Sequence, residues 1–245
     1  MKSLALSLSE WLQGKCVPAV LLAVIVCGGI EAAGQSRAKS RQKQSAQTMK
    51  AEEVREAKQR LSALGYWTGP IDEAFDEGSR HALIAFQKVE GRARTGKLTA
   101  EELESLRAAK RPAPRASDSA HIEIDLSRQV LFVVDESGEV SNILPISTGT
   151  GKLFTSQGWT RRACTPCGEF TVYRKIAGWR KSPLGLLYYP NYISGGVAIH
   201  GSLSVPAHPA SHGCIRIPLF AAKAFSEMIP IGARVIVYYD LDEKP

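Results

Sequence analysis

Hydrophobic positions change their spacing once along the chain. Val54, Ala57, Leu61 and Leu64 fall on one helical face, and Gly65 is placed to end that helix in a left-handed conformation. Ala82, Leu83, Phe86 and Val89 predict a second helix. A third starts at Thr99, with Glu102 three residues on as a capping box, and buries Leu103 and Leu106. Three short helices over residues 51–108 give a thin core, which suits a binding module better than an enzyme. Residues 109–119 carry Arg111, Pro112, Pro114 and Arg115 among few apolar side chains, and read as a semi-stiff linker and domain boundary.

From residue 120 the period becomes two. Ile122, Ile124 and Leu126 alternate with His121, Glu123 and Asp125, predicting a half-buried strand. Further strands are predicted over 130–134, 140–147, 168–173 and 196–200, with a closing strand over 233–239. Leu219 to Met228 predicts a helix, stopped near Pro230. The expected fold is multidomain: a mainly-β sandwich or barrel with one helix over residues 120–240, preceded by a small three-helix domain.

The N-terminus adds a location. Lys2 and Lys15 precede the apolar run Val17 to Val26, and Ala32, Ala33 and Gly34 follow, the order of a secretory signal. Residues 1–34 are expected to be a signal peptide or membrane anchor, and the protein to be exported to the periplasm or cell wall. Residues 35–50 hold Arg37, Lys39, Arg41, Lys43 and Lys50 without an acid, as a solvated basic tether would. The 245-residue chain has a net charge of +7. Export turns that charge toward wall polymer or membrane surface, and no stacking aromatics interleave the tether's charges as nucleic-acid binding would want. Outside the cell the medium is oxidising. Of the three cysteines beyond the signal, Cys164 and Cys167 are expected to pair, leaving Cys214 as the free thiol.

Cys214 carries the chemistry. It follows Gly213, where a tight turn can aim backbone N–H groups at one spot and stabilise an oxyanion. A thiol becomes a strong nucleophile beside a base, and His200 and His212 are both candidates that spacing alone does not separate. Four readings stand at this point: Cys–His catalysis, a zinc site built from His200, His208, His212 and Cys214, a disulfide, and a structural cysteine. The spacing His208-x-x-x-His212-x-Cys214 matches no common zinc pattern.

Five blocks in order resemble the L,D-transpeptidase (YkuD-type) family. They are Ile124-Asp125-Leu126-Ser127-x-Gln129-x-Leu131, Pro145-Ile146-Ser147-Thr148-Gly149, Thr165-Pro166-x-Gly168-x-Phe170-x-Val172, Ile199-His200-Gly201, and Ser211-His212-Gly213-Cys214-Ile215-Arg216. Upstream, Gln59-Arg60-Leu61-x-x-Leu64-Gly65-Tyr66, Gly69-Pro70-Ile71-Asp72 and Ala82-Leu83-x-x-Phe86-Gln87 resemble the peptidoglycan-binding-domain-1 family, with Glu73 and Asp76 standing where that family usually has glycine. The resemblance implies Cys214 as nucleophile and His200 as general base, with the Gly201 carbonyl orienting the imidazole. It also implies an oxyanion turn formed by His212, Gly213 and Cys214. Ser211, Arg216 and Tyr192 are its candidate substrate contacts, and it implies no cofactor and no metal. The implied substrate is peptidoglycan: tetrapeptide stems, joined through a cysteinyl thioester to an amine of a neighbouring stem. The same site intercepted by water would be an L,D-carboxypeptidase, and a non-catalytic peptidoglycan-binding protein is the rival from another class. Peptidoglycan stem peptides and glycan are the expected partners, with membrane contact through the N-terminus and no nucleic acid.

Overall fold

The computed structural model describes residues 49–240. The expected signal or anchor and nearly all of the basic tether lie outside them. Among the described residues no helix is long and apolar enough to cross a membrane.

Three helices open the described chain: α1 (Ala51–Ala63), α2 (Glu77–Val89) and α3 (Ala100–Ala108). Gly65 ends α1 at φ +94°, and Tyr66 N–H and Gly65 N–H donate to Leu61 O and Ser62 O, a Schellman closure. Asp76 caps α2 by accepting from Ser79 N–H at 2.7 Å, which accounts for an acid at a position where the related module carries glycine. Thr99 caps α3 through Glu102 N–H at 3.2 Å. The reciprocal half of that capping box is not made. The Glu102 carboxylate accepts instead from Gln87 Nε2 and Arg92 Nε, both at 3.1 Å, tying α3 to α2 and the loop after it.

The β part is a sandwich, and the barrel alternative is corrected: the described strands close no barrel. One sheet has the order β3 (Val140–Pro145), β2 (Val130–Val134), β1 (His121–Asp125), β12 (Arg234–Tyr238), β6 (Gly168–Thr171). The other has the order β11 (Ile215–Pro218), β10 (Val197–Ser202), β9 (Gly185–Ser194), β7 (Arg174–Lys175), with β8 (Trp179–Ser182) also paired to β9. Helix α4 (Leu219–Met228) follows β11. The core between the sheets gathers Ile122, Ile124, Leu131, Val133 and Leu144 from one and Ile193, Ile199, Ile215 and Ile217 from the other, closed by Ala221, Ala222 and Phe225 of α4. A separate hairpin, β4 (Leu153–Ser156) and β5 (Trp159–Arg162), lies outside the expected elements. Its turn is Gln157-Gly158, both at positive φ, the conformation that two-residue hairpin turns favour.

The first sheet is covered on its second face too. Val130, Phe132, Val140 and Ile143 point away from the sandwich core and join Leu61, Tyr66, Leu83 and Phe86 of the helical module in one cluster. This is why β2 reads as an unbroken apolar run rather than an alternation. β3 is the sheet's edge, and the module covers it: Ile143 N–H donates to Gly65 O at 2.7 Å, and Trp67 N–H to Ile143 O at 3.1 Å. Strand β1 is buried on both faces, not half-buried as alternation suggests. Its Glu123 carboxylate accepts the backbone N–H of Arg115 and Ala116, so segment 109–119 runs along the sheet's polar side. Arg111 extends that contact, donating to Val140 O at 3.0 Å and Ala63 O at 2.7 Å.

Candidate active site

Two neighbouring strands bring the chemistry together. β10 and β11 run parallel, with Ile199 beside Ile215 and His200 beside Arg216. Cys214 immediately precedes β11, so alternation puts its side chain on the same face as Arg216, diagonal to His200. Both side chains line a groove of about 660 Å³, together with Tyr192, Val197, His212 and Arg216.

The loop from Ser211 to Cys214 is held from inside and from behind. Ser211 Oγ donates to Cys214 O at 2.6 Å and accepts Gly213 N–H at 3.0 Å. Ser211 is 2% exposed, so its hydroxyl braces the turn. It also lines the groove, where it was expected as a substrate contact. With Gly213 N–H taken by Ser211, the N–H groups of His212 and Cys214 are the turn's candidates for an oxyanion. Gly213 has φ +136°, and a Cβ there would lie 2.9 Å from Cys164 O. Behind the turn, Thr165 Oγ1 donates to Gly213 O at 2.8 Å and accepts Gly149 N–H at 3.0 Å. Thr148 O accepts the N–H groups of Ala210 and Ser211 at 2.9 and 2.8 Å. Thr148 is itself fixed by the buried Gln129 side chain.

Cys164 and Cys167, expected as a pair, stand as separate thiols in this structure. The chain makes no turn across 164–167, and Thr165 between them is anchored to Gly213 and Gly149. A bridge over two residues would need that segment to fold back.

The two histidines separate clearly. His200 is buried, and its Nδ1 lies 2.9 Å from Gly201 O. A carbonyl only accepts, so Nδ1 carries the proton and Nε2 keeps a free lone pair. Burial pushes the His200 pKa down to about 4, against the Gly201 carbonyl and with help from Arg216. His212 is exposed and stacks on Phe154 of the β4–β5 hairpin, with centroids 4.7 Å apart. Burial also raises the Cys214 thiol, opposed by the backbone of Ala198 and by Arg216. At rest the Cys214 thiol donates to Gly196 O at 3.6 Å, and the neutral His200 imidazole lines the same groove. Gly201 has a second reason to be glycine: a Cβ there would lie 2.5 Å from Ala222 Cβ on α4.

Tyr192 lines the groove wall and packs under the Arg174 guanidinium, 5.4 Å from its ring centroid. Trp179, Tyr188 and Tyr189 form a contact series outside the groove, with neighbouring centroids 4.7 Å apart. Sequence reasoning missed the β4–β5 hairpin, which supplies Phe154, Trp159, Arg161 and Arg162 to the groove. The signal was Gln157-Gly158 between two short alternating runs. It also missed Arg180 on β8. Among the described residues no three His, Cys, Asp or Glu side chains gather as a metal site.

Residues 119–237 match the family model of the L,D-transpeptidase (YkuD) catalytic domain, and residues 50–106 that of a peptidoglycan binding domain. A crystal structure of the L,D-transpeptidase from Xylanimonas cellulosilytica is 39% identical, covers 76% of this chain and 93% of its own, and superposes with a TM-score of 0.72. The chain belongs to the L,D-transpeptidase family. The L,D-transpeptidase from Stackebrandtia nassauensis is 22% identical, with 76% of this chain and 91% of that one covered and a TM-score of 0.44. The L,D-transpeptidase from Mycobacterium smegmatis is 23% identical, with 49% and 58% covered and a TM-score of 0.41. No curated protein matches. Family membership makes the chain a transpeptidase with an N-terminal peptidoglycan-binding domain.

The His200 environment carries a pH signature. A histidine serving as general base acts only when neutral, so a pKa lowered to about 4 would keep His200 competent in that role well below the usual imidazole range. The acid limb of kcat/KM is expected to fall with half-activity near pH 4. Half-activity near pH 6.5, that of an unperturbed imidazole, would exclude His200 as the base.

Proposed function

We propose that this protein is an exported L,D-transpeptidase that works through a Cys214 thioester on the tetrapeptide stems of peptidoglycan. The observation that carries the reading is one groove lined by both the Cys214 thiol and a buried, neutral imidazole, whose tautomer is fixed by Gly201 O. His200 Nε2 takes the Cys214 proton as Sγ attacks the carbonyl on the L-centre of the stem's diamino acid. The oxyanion of the tetrahedral intermediate faces the N–H groups of His212 and Cys214. The C–N bond to terminal D-alanine then breaks, and the imidazolium returns the proton to the departing amine. An amine of a neighbouring stem attacks the thioester, giving its proton to His200, and the thiol is released. One amide is exchanged for another, so no nucleotide is consumed. That suits the export supported by Lys2, Lys15 and the apolar run Val17 to Val26.

Incubation with tetrapeptide-bearing wall fragments, followed by mass spectrometry, tests the reading. Cross-linked dimers with loss of D-alanine are expected, with the acyl adduct mapped to the peptide containing Cys214. Release of D-alanine without dimers would make the enzyme an L,D-carboxypeptidase. Absence of both products would refute the enzymatic reading.

A further inference from the structure

Four guanidinium groups line the groove that holds Cys214: Arg161 and Arg162 from β5, Arg180 from β8 and Arg216 from β11. No Asp or Glu lines it. Among the described residues, every salt bridge is made by other side chains. Other arginines are compensated by acids: Arg234 pairs with Asp118 and Glu169, Arg107 with Glu56 and Glu104, and Arg128 with Asp125. Of the four in the groove, Arg162 alone makes a side-chain hydrogen bond, to Gly151 O at 2.7 Å. The groove is thus a concave region of one sign, where field lines concentrate and anions gather.

We propose that Arg161, Arg162 and Arg180 form a carboxylate-recognition wall that selects stem peptides whose acidic residues carry free carboxylates over the same stems with those groups amidated. This rests on the transpeptidase reading and names the substrate class of that site. The guanidinium fork matches a carboxylate through two parallel hydrogen bonds, a geometry that a carboxamide, holding one acceptor and one donor, does not satisfy. The three arginines arrive on two separate hairpins, β4–β5 and β8–β9, that line one groove with Cys214. A peptide lying in that groove therefore meets charge from both hairpins. Exposed apolar groups stand next to them in the groove: Trp159 on the first hairpin, Leu184 and Leu186 on the second. They lower the local polarity and strengthen each ion pair relative to open water. An extended wall polymer of phosphodiesters shares the negative charge but offers no carboxylate and no scissile amide beside the thiol. The peptide is the occupant that explains arginine and cysteine in one groove.

The test uses two synthetic tetrapeptides ending in D-alanine, one with free acidic side groups and one with those groups converted to carboxamides. Binding is measured by calorimetry on the Cys214→Ala protein, so that the result does not depend on turnover. The free form is expected to bind about tenfold more tightly at low ionic strength, with the advantage shrinking as salt is raised. In the protein that also carries Arg161→Gln, Arg162→Gln and Arg180→Gln, the two peptides should bind equally, and circular dichroism checks that the fold is intact. Equal binding of the two peptides to the Cys214→Ala protein would overturn the proposal. So would tighter binding of a poly(glycerol phosphate) that the free peptide does not displace. Turnover of both peptides by the wild-type enzyme is scored separately. Absence of turnover with selective binding sinks the catalytic reading alone, and turnover with unselective binding sinks this proposal alone.

Discussion

Deleting residues 49–108 is expected to leave a β sandwich that does not fold stably, rather than a freestanding catalytic domain. The helical module supplies the second covering of the first sheet. Without it Val130, Phe132, Val140 and Ile143 face water, where each now packs on Leu61, Tyr66, Leu83 or Phe86. Exposing a buried aliphatic or aromatic side chain costs about 1.5–3 kcal/mol, so four of them amount to roughly 6–12 kcal/mol. That is comparable to the whole stability of an ordinary domain, about 5–15 kcal/mol. Two further losses add to it. Ile143 N–H and O lose Gly65 and Trp67 and reopen β3 as a bare edge, a template for aggregation. Trp67 also leaves the core between the sheets, against which it packs. The check is expression of residues 109–240 beside 49–240, compared by solubility and urea unfolding. A truncated domain with an unchanged unfolding midpoint would show that the two modules are merely tethered.

The two modules were legible in the sequence because each keeps its own period, and the start of α3 was legible through its Thr99 cap, whereas the Asp76 cap of α2 was not read. What the sequence hid is packing between modules. The run Val130 to Val134 announces burial on both faces but not what lies on the outer one. Glu123 on β1 reads as solvent-facing, since nothing local shows that the N–H groups of Arg115 and Ala116 will meet it. At the site, the residue types and their order were visible, and the separation of His200 from His212 was not. It depends on the parallel pairing of β10 with β11, a contact between residues 16 positions apart. Only the turn's geometry shows that both the lone pair and the proton of Ser211 are engaged there. The spacing of Cys164 and Cys167 says nothing of the Thr165 hydroxyl anchoring the segment between them.

Stability is expected to rise between pH 7.5 and 9.5 through one group, Lys88. Its side chain is 1% exposed at the seam of the two modules. Nζ donates to Gln129 O at 2.9 Å and Ile146 O at 2.8 Å, and no carboxylate is within salt-bridge distance among the described residues. Burial, with a contribution from Arg94, pushes its pKa down to about 7. In the unfolded chain the same amine titrates near ~10.4. Between those values the unfolded state holds a proton that the native state has lost, so stability increases with pH, by about 1.4 kcal/mol per unit at most. Below pH 7 both states are protonated and the native fold carries the full penalty of a buried ammonium; above ~10.4 the penalty is gone. Cysteines and tyrosines whose pKa values are raised by burial, among them Cys214, Tyr66 and Tyr238, act in the opposite direction over the alkaline range. The readout is therefore a difference. Unfolding free energies of wild type and Lys88→Met are measured in urea at both pH values, where titration of all other groups cancels. The variant's stability relative to wild type is expected to be about 2–3 kcal/mol more favourable at pH 7.5 than at 9.5. A gap independent of pH would mean that Lys88 keeps an ordinary amine pKa in the fold. The two carbonyls it holds are linked to the Ser211–Cys214 turn: Ile146 precedes Ser147, whose backbone pairs with Arg216, and the Gln129 side chain fixes Thr148, whose carbonyl receives Ser211 N–H. The same side chain whose burial weakens the fold at neutral pH thus joins the helical module to the segment that braces this turn.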